Sequence, residues 1–291
     1  MHTDKTVREG MVDFLKECKE NRSIGTYKTY ASRMKQIILN LDSGDKKMRD
    51  IKISDIQGVW RNIEEKYPQP STKRALYDTL AVFLKWCNSK GYIKKIAMEK
   101  TIQKPDSVFY KPNLLGEKEA ELIMKAAEGT DLYLPIMIGI KTGLKRHQVL
   151  ELRWQQVDFG KHSICVKKQG KTGSERNITM VPELELTLYQ VFLELSKQDT
   201  YECVMQKYIC KTVTDKRFDP SYFDKKFRRF VEINHLPHGL RFQDLRWSFV
   251  NSNAKNMDIK ELAESVGHSS CAYIMDYYLN MHNHEGEQSA A

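Results

Sequence analysis

Apolar side chains recur at three- and four-residue steps along most of this chain, and that period confines it to a mainly helical fold. Val7, Met11, Phe14 and Leu15 share one helical face, and Tyr27, Tyr30, Met34 and Ile38 share a second, with Ser23 placed to cap it. A third helix is expected after Ser54. A fourth, from Ser71 and Thr72, carries Leu76, Leu80, Phe83, Leu84 and Trp86 to a stop at Gly91. The stretch 100–113 then holds Pro105, Pro112 and few core-type residues, so a linker is expected there. The division that follows is a helical domain over 1–105, a linker over 106–113 and a second domain over 114–291.

The period changes only at 156–181. Val157, Phe159, Ile164 and Val166 occupy alternate positions over 156–168, a turn is expected at 169–174, and a second strand follows over 177–181. Around this antiparallel hairpin, helical patterns cover 117–127, 184–195, 219–233, 245–255 and 259–266, and an apolar run over 132–142 ends at Gly143. The expected fold class is mainly α with a small antiparallel β-sheet.

Charge points to a partner. The 291 residues carry a formal charge of +9, and residues 1–105 hold 22 Lys and Arg against 13 Asp and Glu, whereas 106–291 balance at 25 against 25. A basic surplus confined to one domain favours a polyanion there. The six cysteines, 18, 87, 165, 203, 210 and 271, form no CxxC pair, which argues against a zinc site or a disulfide framework and for a reducing, cytoplasmic setting. No apolar leader or spanning segment is read, so no membrane partner is expected.

The chemistry is concentrated near the end of the chain. Gln243-Asp244-Leu245-Arg246 is followed by Val266-Gly267-His268-Ser269-Ser270 and by Asp276-Tyr277-Tyr278. A tyrosine hydroxyl can attack a phosphodiester, but with a free pKa of about 10 it needs activation. A guanidinium fork and a histidine donor stabilise the charge that develops on the phosphate oxygens. Neither a metal nor another cofactor is required.

Together with Thr142-Gly143-Leu144-Lys145-Arg146, the following Leu152-Arg153-Trp154 and the turn Gly170-Lys171-Thr172-Gly173, these segments resemble the tyrosine recombinase (phage integrase) family over nearly the whole chain. The resemblance implies a helical, SAM-like core-binding domain followed by an α+β catalytic domain. It further implies cleavage and rejoining of double-stranded DNA through a 3′-phosphotyrosyl intermediate, with a homo-tetramer on the DNA synapse. Carried over, Lys171 falls on the lysine that protonates the leaving 5′ oxygen, Arg246 on the second arginine, His268 on the phosphate-binding histidine and Tyr277 on the nucleophile, with Tyr278 as the alternative. Arg241 mimics Arg246 in text but lies 27 residues before His268 rather than 22.

Two positions depart from the family pattern. Lys145 stands where the first arginine is expected, and Gln243 where a histidine is expected. Lysine keeps the charge without the planar fork, and glutamine can donate a hydrogen bond without shuttling a proton. Arg146 is the alternative clamp. The departures leave open an attenuated enzyme, by natural or engineered substitution, or an inactive DNA-binding protein that retains the fold. A type IB topoisomerase-like enzyme would share the chemistry without the synapsis. Further DNA contacts are expected from Arg22, Lys28, Arg33, Lys35, Lys73 and Arg74 in the first domain. In the second they are expected from Lys225, Arg228 and Arg229, beside an exposed Lys226, on a helix that buries Phe223, Phe227 and Phe230.

Overall fold

The computed structural model describes the chain except for residues 1–3, 39–44, 95, 97, 107–110, 168–174, 269–270, 273 and 276–291. It divides into two compact units, Met1–Tyr110 and Lys111–Ala291.

The first unit consists of α1 (Val7–Asn21), α2 (Ile24–Ile38), α3 (Ile53–Lys66), α4 (Pro70–Ser89) and the short α5 (Met98–Thr101). Its helices start where side chains take up free main-chain N–H groups. Thr6 Oγ1 accepts from the Glu9 N–H at 3.2 Å while the Glu9 carboxylate accepts from the Thr6 N–H at 2.8 Å, a reciprocal capping box. Ser23 Oγ accepts from the Thr26 N–H at 3.1 Å. Helix α3 begins earlier than the position of Ser54 suggests, because the Asp55 carboxylate holds the Lys52 N–H at 2.7 Å. The apolar faces meet around Phe14, whose ring lies 5.4 Å from those of both Phe83 and Trp86 in edge-on geometry. Met34, Ile37, Ile63, Leu76 and Leu80 complete the core, each such side chain contributing about 1.5–3 kcal/mol of burial.

The second unit runs α6 (Glu117–Ala127), α7 (Tyr133–Thr142), α8 (Arg146–Glu151), β1 (Val157–Asp158), β2 (Ser163–Lys167), β3 (Glu175–Thr179), α9 (Pro182–Ser196), α10 (Tyr201–Gln206), α11 (Pro220–Ile233), α12 (Phe242–Asn253) and α13 (Ile259–Val266). The single strand expected over 156–168 is in fact two, so the hairpin becomes a three-stranded antiparallel sheet in the order β1-β2-β3. The break has a physical cause. Phe159 leaves the alternation to pack against Tyr189 and Phe192 of α9, with ring centroids at 5.2 and 5.7 Å. Asp158 accepts the Lys161 N–H at 3.0 Å, and His162 closes the turn at φ 52°. The last strand comes earlier than 177–181, pairing Val166 with Arg176 and Ile164 with Ile178.

Among the described residues, two apolar cores hold this unit. The larger joins α6, α7, the sheet, α9 and α11 to Phe242 and Leu245 of α12. The smaller is built from Trp247 and Val250 of α12, Leu262, Ala263 and Val266 of α13, and Ile274. Helix α12 also starts earlier than expected: the buried Asp244 carboxylate accepts the Arg241 N–H at 2.8 Å, which fixes the first turn at Phe242. Gln243 thereby lies one turn before Arg246 on the same helix.

Candidate active site

The segment Thr142-Gly143-Leu144-Lys145 is a helix end, a left-handed residue and a new helix start. Helix α7 stops at Gly143, which sits at φ 61°. A Cβ there would come within 2.6 Å of Phe249 Cδ1 and 3.1 Å of Val266 Cγ1, so both the backbone angle and the space demand glycine. Leu144 is buried, and Lys145 becomes the residue before α8, its N–H held by Gln148 Oε1 at 3.1 Å. The carbonyl of Gly143 faces α12 and accepts from Arg246 Nη1 at 2.8 Å. Arg246 is only 1% exposed, so a buried guanidinium is oriented by the turn that presents Lys145.

His268 reaches the same place from the other side. Helix α13 ends in a Schellman arrangement: Gly267, at φ 75°, donates to the Glu264 carbonyl at 2.9 Å, and the His268 N–H donates to the Ala263 carbonyl at 2.8 Å. The His268 ring is half-buried. Burial, together with the charges of Arg246, Lys145 and Arg176, pulls its pKa from 6.5 down to about 4. The Lys145 ammonium stands at the surface, yet its pKa is also lowered, by desolvation and then by Arg246 and Arg176. Lys145, Arg246, Arg176 and His268 therefore form one electropositive cluster whose members feel each other's charge.

Gln243 is half-buried and lines a cleft of about 1080 Å³ with Lys145, His147, Arg228, His238 and Arg241. Neither Arg246 nor His268 is among the residues that line this cleft. His147 shares the environment, its pKa lowered by burial and by Lys145, Arg146 and Arg246 against the opposing pull of Glu151. Arg146, the alternative clamp, turns instead toward α11 and donates to Asp224. Lys171, Tyr277 and Tyr278 lie outside the described residues.

The expected DNA contacts separate into groups. On α11, Lys225, Arg228 and Arg229 are exposed, while Phe223, Phe227 and Phe230 are buried. Lys226, expected to be exposed, is half-buried and paired with Asp131 at 2.6 Å. In the first unit, Lys28 and Arg33 of α2 line a groove of about 570 Å³ with Ser71 and Thr72 of α4. Arg22 and Lys35 are exposed, and Lys73 is half-buried. Arg74 is engaged within its own unit, donating to the Pro105 carbonyl at 2.7 Å and pairing with Asp78 at 3.3 Å.

Arg176 was not marked by motif or spacing. Its partners are the carbonyls of Ser265, at 3.1 Å, and Val266, at 3.3 Å, some 89 and 90 residues further along the chain. Main-chain acceptors leave no residue-type signature, so only the fold brings this arginine into the site.

Residues 113–284, more than half of the chain, match the model of the phage integrase family. A tyrosine recombinase XerC-like protein of Caldanaerobacter subterraneus subsp. tengcongensis is 20% identical, over 90% of this chain and 75% of that one. Among solved structures, the Tn1549 transposon integrase in complex with transposon right end DNA aligns with a TM-score of 0.74 at 17% identity, covering 99% of this chain and all of that one. The lambda integrase tetramer bound to a Holliday junction aligns with a TM-score of 0.72 at 18% identity, covering 92% and 76%. At these identities the structural likenesses establish the fold, and the family match establishes the kinship: the chain belongs to the phage integrase family.

Proposed function

We propose that the chain is a site-specific DNA recombinase that cleaves and rejoins duplex DNA inside the cell, working as a homo-tetramer on its synapse without metal or other cofactor. The observation that carries this reading is the convergence of Lys145, Arg246, Arg176 and His268. Cations gathered in this way repel one another, and an anion bound among them relieves the repulsion. A scissile phosphate has the charge and the acceptor oxygens to do so. Arg246, held through one nitrogen by Gly143, presents a fixed guanidinium; Lys145 adds a point charge from the rim; the neutral His268 ring can donate a hydrogen bond without adding charge. Gln243 contributes a further donor from the cleft wall.

In the reaction Tyr277, or Tyr278 beside it, attacks phosphorus, and its phenolic proton passes to solvent. The bond to the 5′ oxygen breaks, and Lys171 supplies the proton that this oxygen takes up. The 3′-phosphotyrosyl ester retains the bond energy, and attack by another 5′ hydroxyl reverses the step. The domain division at 106–113 fits a clamp in which the basic surplus of 1–105 meets the DNA backbone, with Arg22, Lys28, Arg33, Lys35 and Lys73 as its candidates and Lys225, Arg228 and Arg229 adding contacts from α11. Arg74, already paired, ranks below them.

The test is covalent capture from a pool of nicked duplexes of randomised sequence. A denaturant-resistant adduct is expected, abolished by Tyr277→Phe and retained by Tyr278→Phe; an adduct that survives Tyr277→Phe moves the nucleophile to Tyr278. Lys145 and Gln243 favour a second reading, a DNA-binding protein that does not cleave. Duplex binding with no adduct, even after Lys145→Arg, would establish that reading in place of the first.

A further inference from the structure

We infer that Arg176 is a positioning residue for the phosphate site, fastening the strand that follows the Lys171 turn to the helix end that presents His268. The inference rests on the recombinase reading for its catalytic consequence but on the hydrogen bonding of α13 for its geometry. The last four carbonyls of a helix have no partner within it. In α13 the Ala263 carbonyl accepts from the His268 N–H at 2.8 Å and that of Glu264 from the Gly267 N–H at 2.9 Å. The remaining two, of Ser265 and Val266, accept from Arg176 Nε at 3.1 Å and Nη2 at 3.3 Å. One side chain thus completes the cap, and a cation at a helix C-terminus is favoured by the helix dipole as well.

Space around the cap is filled by the same group. A Cβ on Gly267 would fall within 2.6 Å of the Arg176 Cζ, so the guanidinium packs closely against the glycine that precedes His268. The φ of 75° favours glycine at 267, and a side chain there would also push the Arg176 guanidinium aside. At the other end Arg176 is anchored in the sheet, paired with Val166 of β2 on the second position of β3. Strand β3 begins at Glu175, so a shift at Arg176 displaces the histidine and this strand relative to one another. A misplacement of about 1 Å in such a site costs on the order of 10² in rate.

The experiment uses the full chain with Arg176→Gln and Arg176→Lys. Three readouts are followed: the single-turnover rate of adduct formation on a nicked duplex recovered from the random pool, the affinity for that duplex in a gel shift, and the titration of the His268 Cε1 proton by NMR. With Arg176→Gln, adduct formation is expected to slow about 100-fold, well beyond the fall in duplex affinity that loss of one cation brings, and the His268 titration is expected to move to higher pH as a neighbouring charge and its shielding are lost. Arg176→Lys, which keeps the charge on a single donor nitrogen, is expected to recover part of the rate. An unchanged adduct rate in Arg176→Gln, or a loss matched by equal losses of affinity and melting temperature, overturns the assignment. If the chain forms no adduct, even after Lys145→Arg, the recombinase reading falls separately; a His268 titration moved by Arg176→Gln then still supports the placement, and an unmoved one overturns it.

Discussion

Acidification from pH 7 to pH 5 should destabilise the catalytic unit through His268 in particular. Burial, Arg246, Lys145 and Arg176 hold its pKa at about 4, against 6.5 for an ordinary histidine. In the unfolded chain the ring takes up a proton as pH falls through 6.5; in the folded unit it does so only near 4. Between those values the unfolded state binds more protons, so stability declines as pH drops, and below 4 the difference has been fully expressed. At pH 5 the linkage amounts to about 2 kcal/mol relative to pH 7, or a fall of about 4–8 °C in melting temperature for a unit of this size. His147 acts in the same direction, so the measurement must be differential. Calorimetry of the full chain and of His268→Gln at pH 7, 6 and 5 isolates the term: the unsubstituted chain should lose about 2 kcal/mol more than the variant over that interval. Equal pH dependence in the two proteins would refute the reasoning, and so would an NMR midpoint for His268 near 6.5.

Gly143→Ala should lower stability by about 2–4 kcal/mol, because it combines a left-handed backbone with a Cβ 2.6 Å from Phe249; a urea titration within about 0.5 kcal/mol of the parent would contradict the packing described. Lys145→Arg should speed adduct formation about 10–100-fold by restoring a planar fork, as measured in single turnovers; a slower variant would show that the loop is shaped for lysine. Arg146→Ala should alter stability by less than about 1 kcal/mol, since its pair with Asp224 is partly exposed, and should leave the adduct rate within about 2-fold; a loss comparable to that of Arg246→Ala would place Arg146 in the clamp.

The helices of the first unit were legible because burial there follows period: Phe14, Met34, Leu76 and Leu80 are both the periodic positions and the core. The sheet was legible in kind but not in detail. Phe159 reads as one more alternating apolar residue, and nothing local reveals that Tyr189 and Phe192, some thirty residues on, draw it out of the strand. The start of α12 was misplaced for a related reason, since an acidic residue in a first turn becomes a cap only when buried, as Asp244 is. Arg246 and His268 are marked as candidates by their spacing, and the charge of Arg246 is felt at the His268 ring. Arg176 is not so marked, because its role is written in carbonyls that every residue possesses.

The two cores of the second unit give the two sides of the clamp different persistence. Arg246 lies on α12, which is pinned in the large core by Phe242 and Leu245, whereas α13, leading to His268, rests on the small core of Trp247, Val250, Leu262, Ala263, Val266 and Ile274. Among the described residues that cluster is small, and a cluster of that size can open at a free energy well below that of global unfolding. Amide hydrogens of α13 should therefore exchange with solvent before those of α7, and a duplex gripping both sides would bind a cooperative unit that it also completes. Assembly of the clamp would then be part of recognising DNA rather than a state that precedes it.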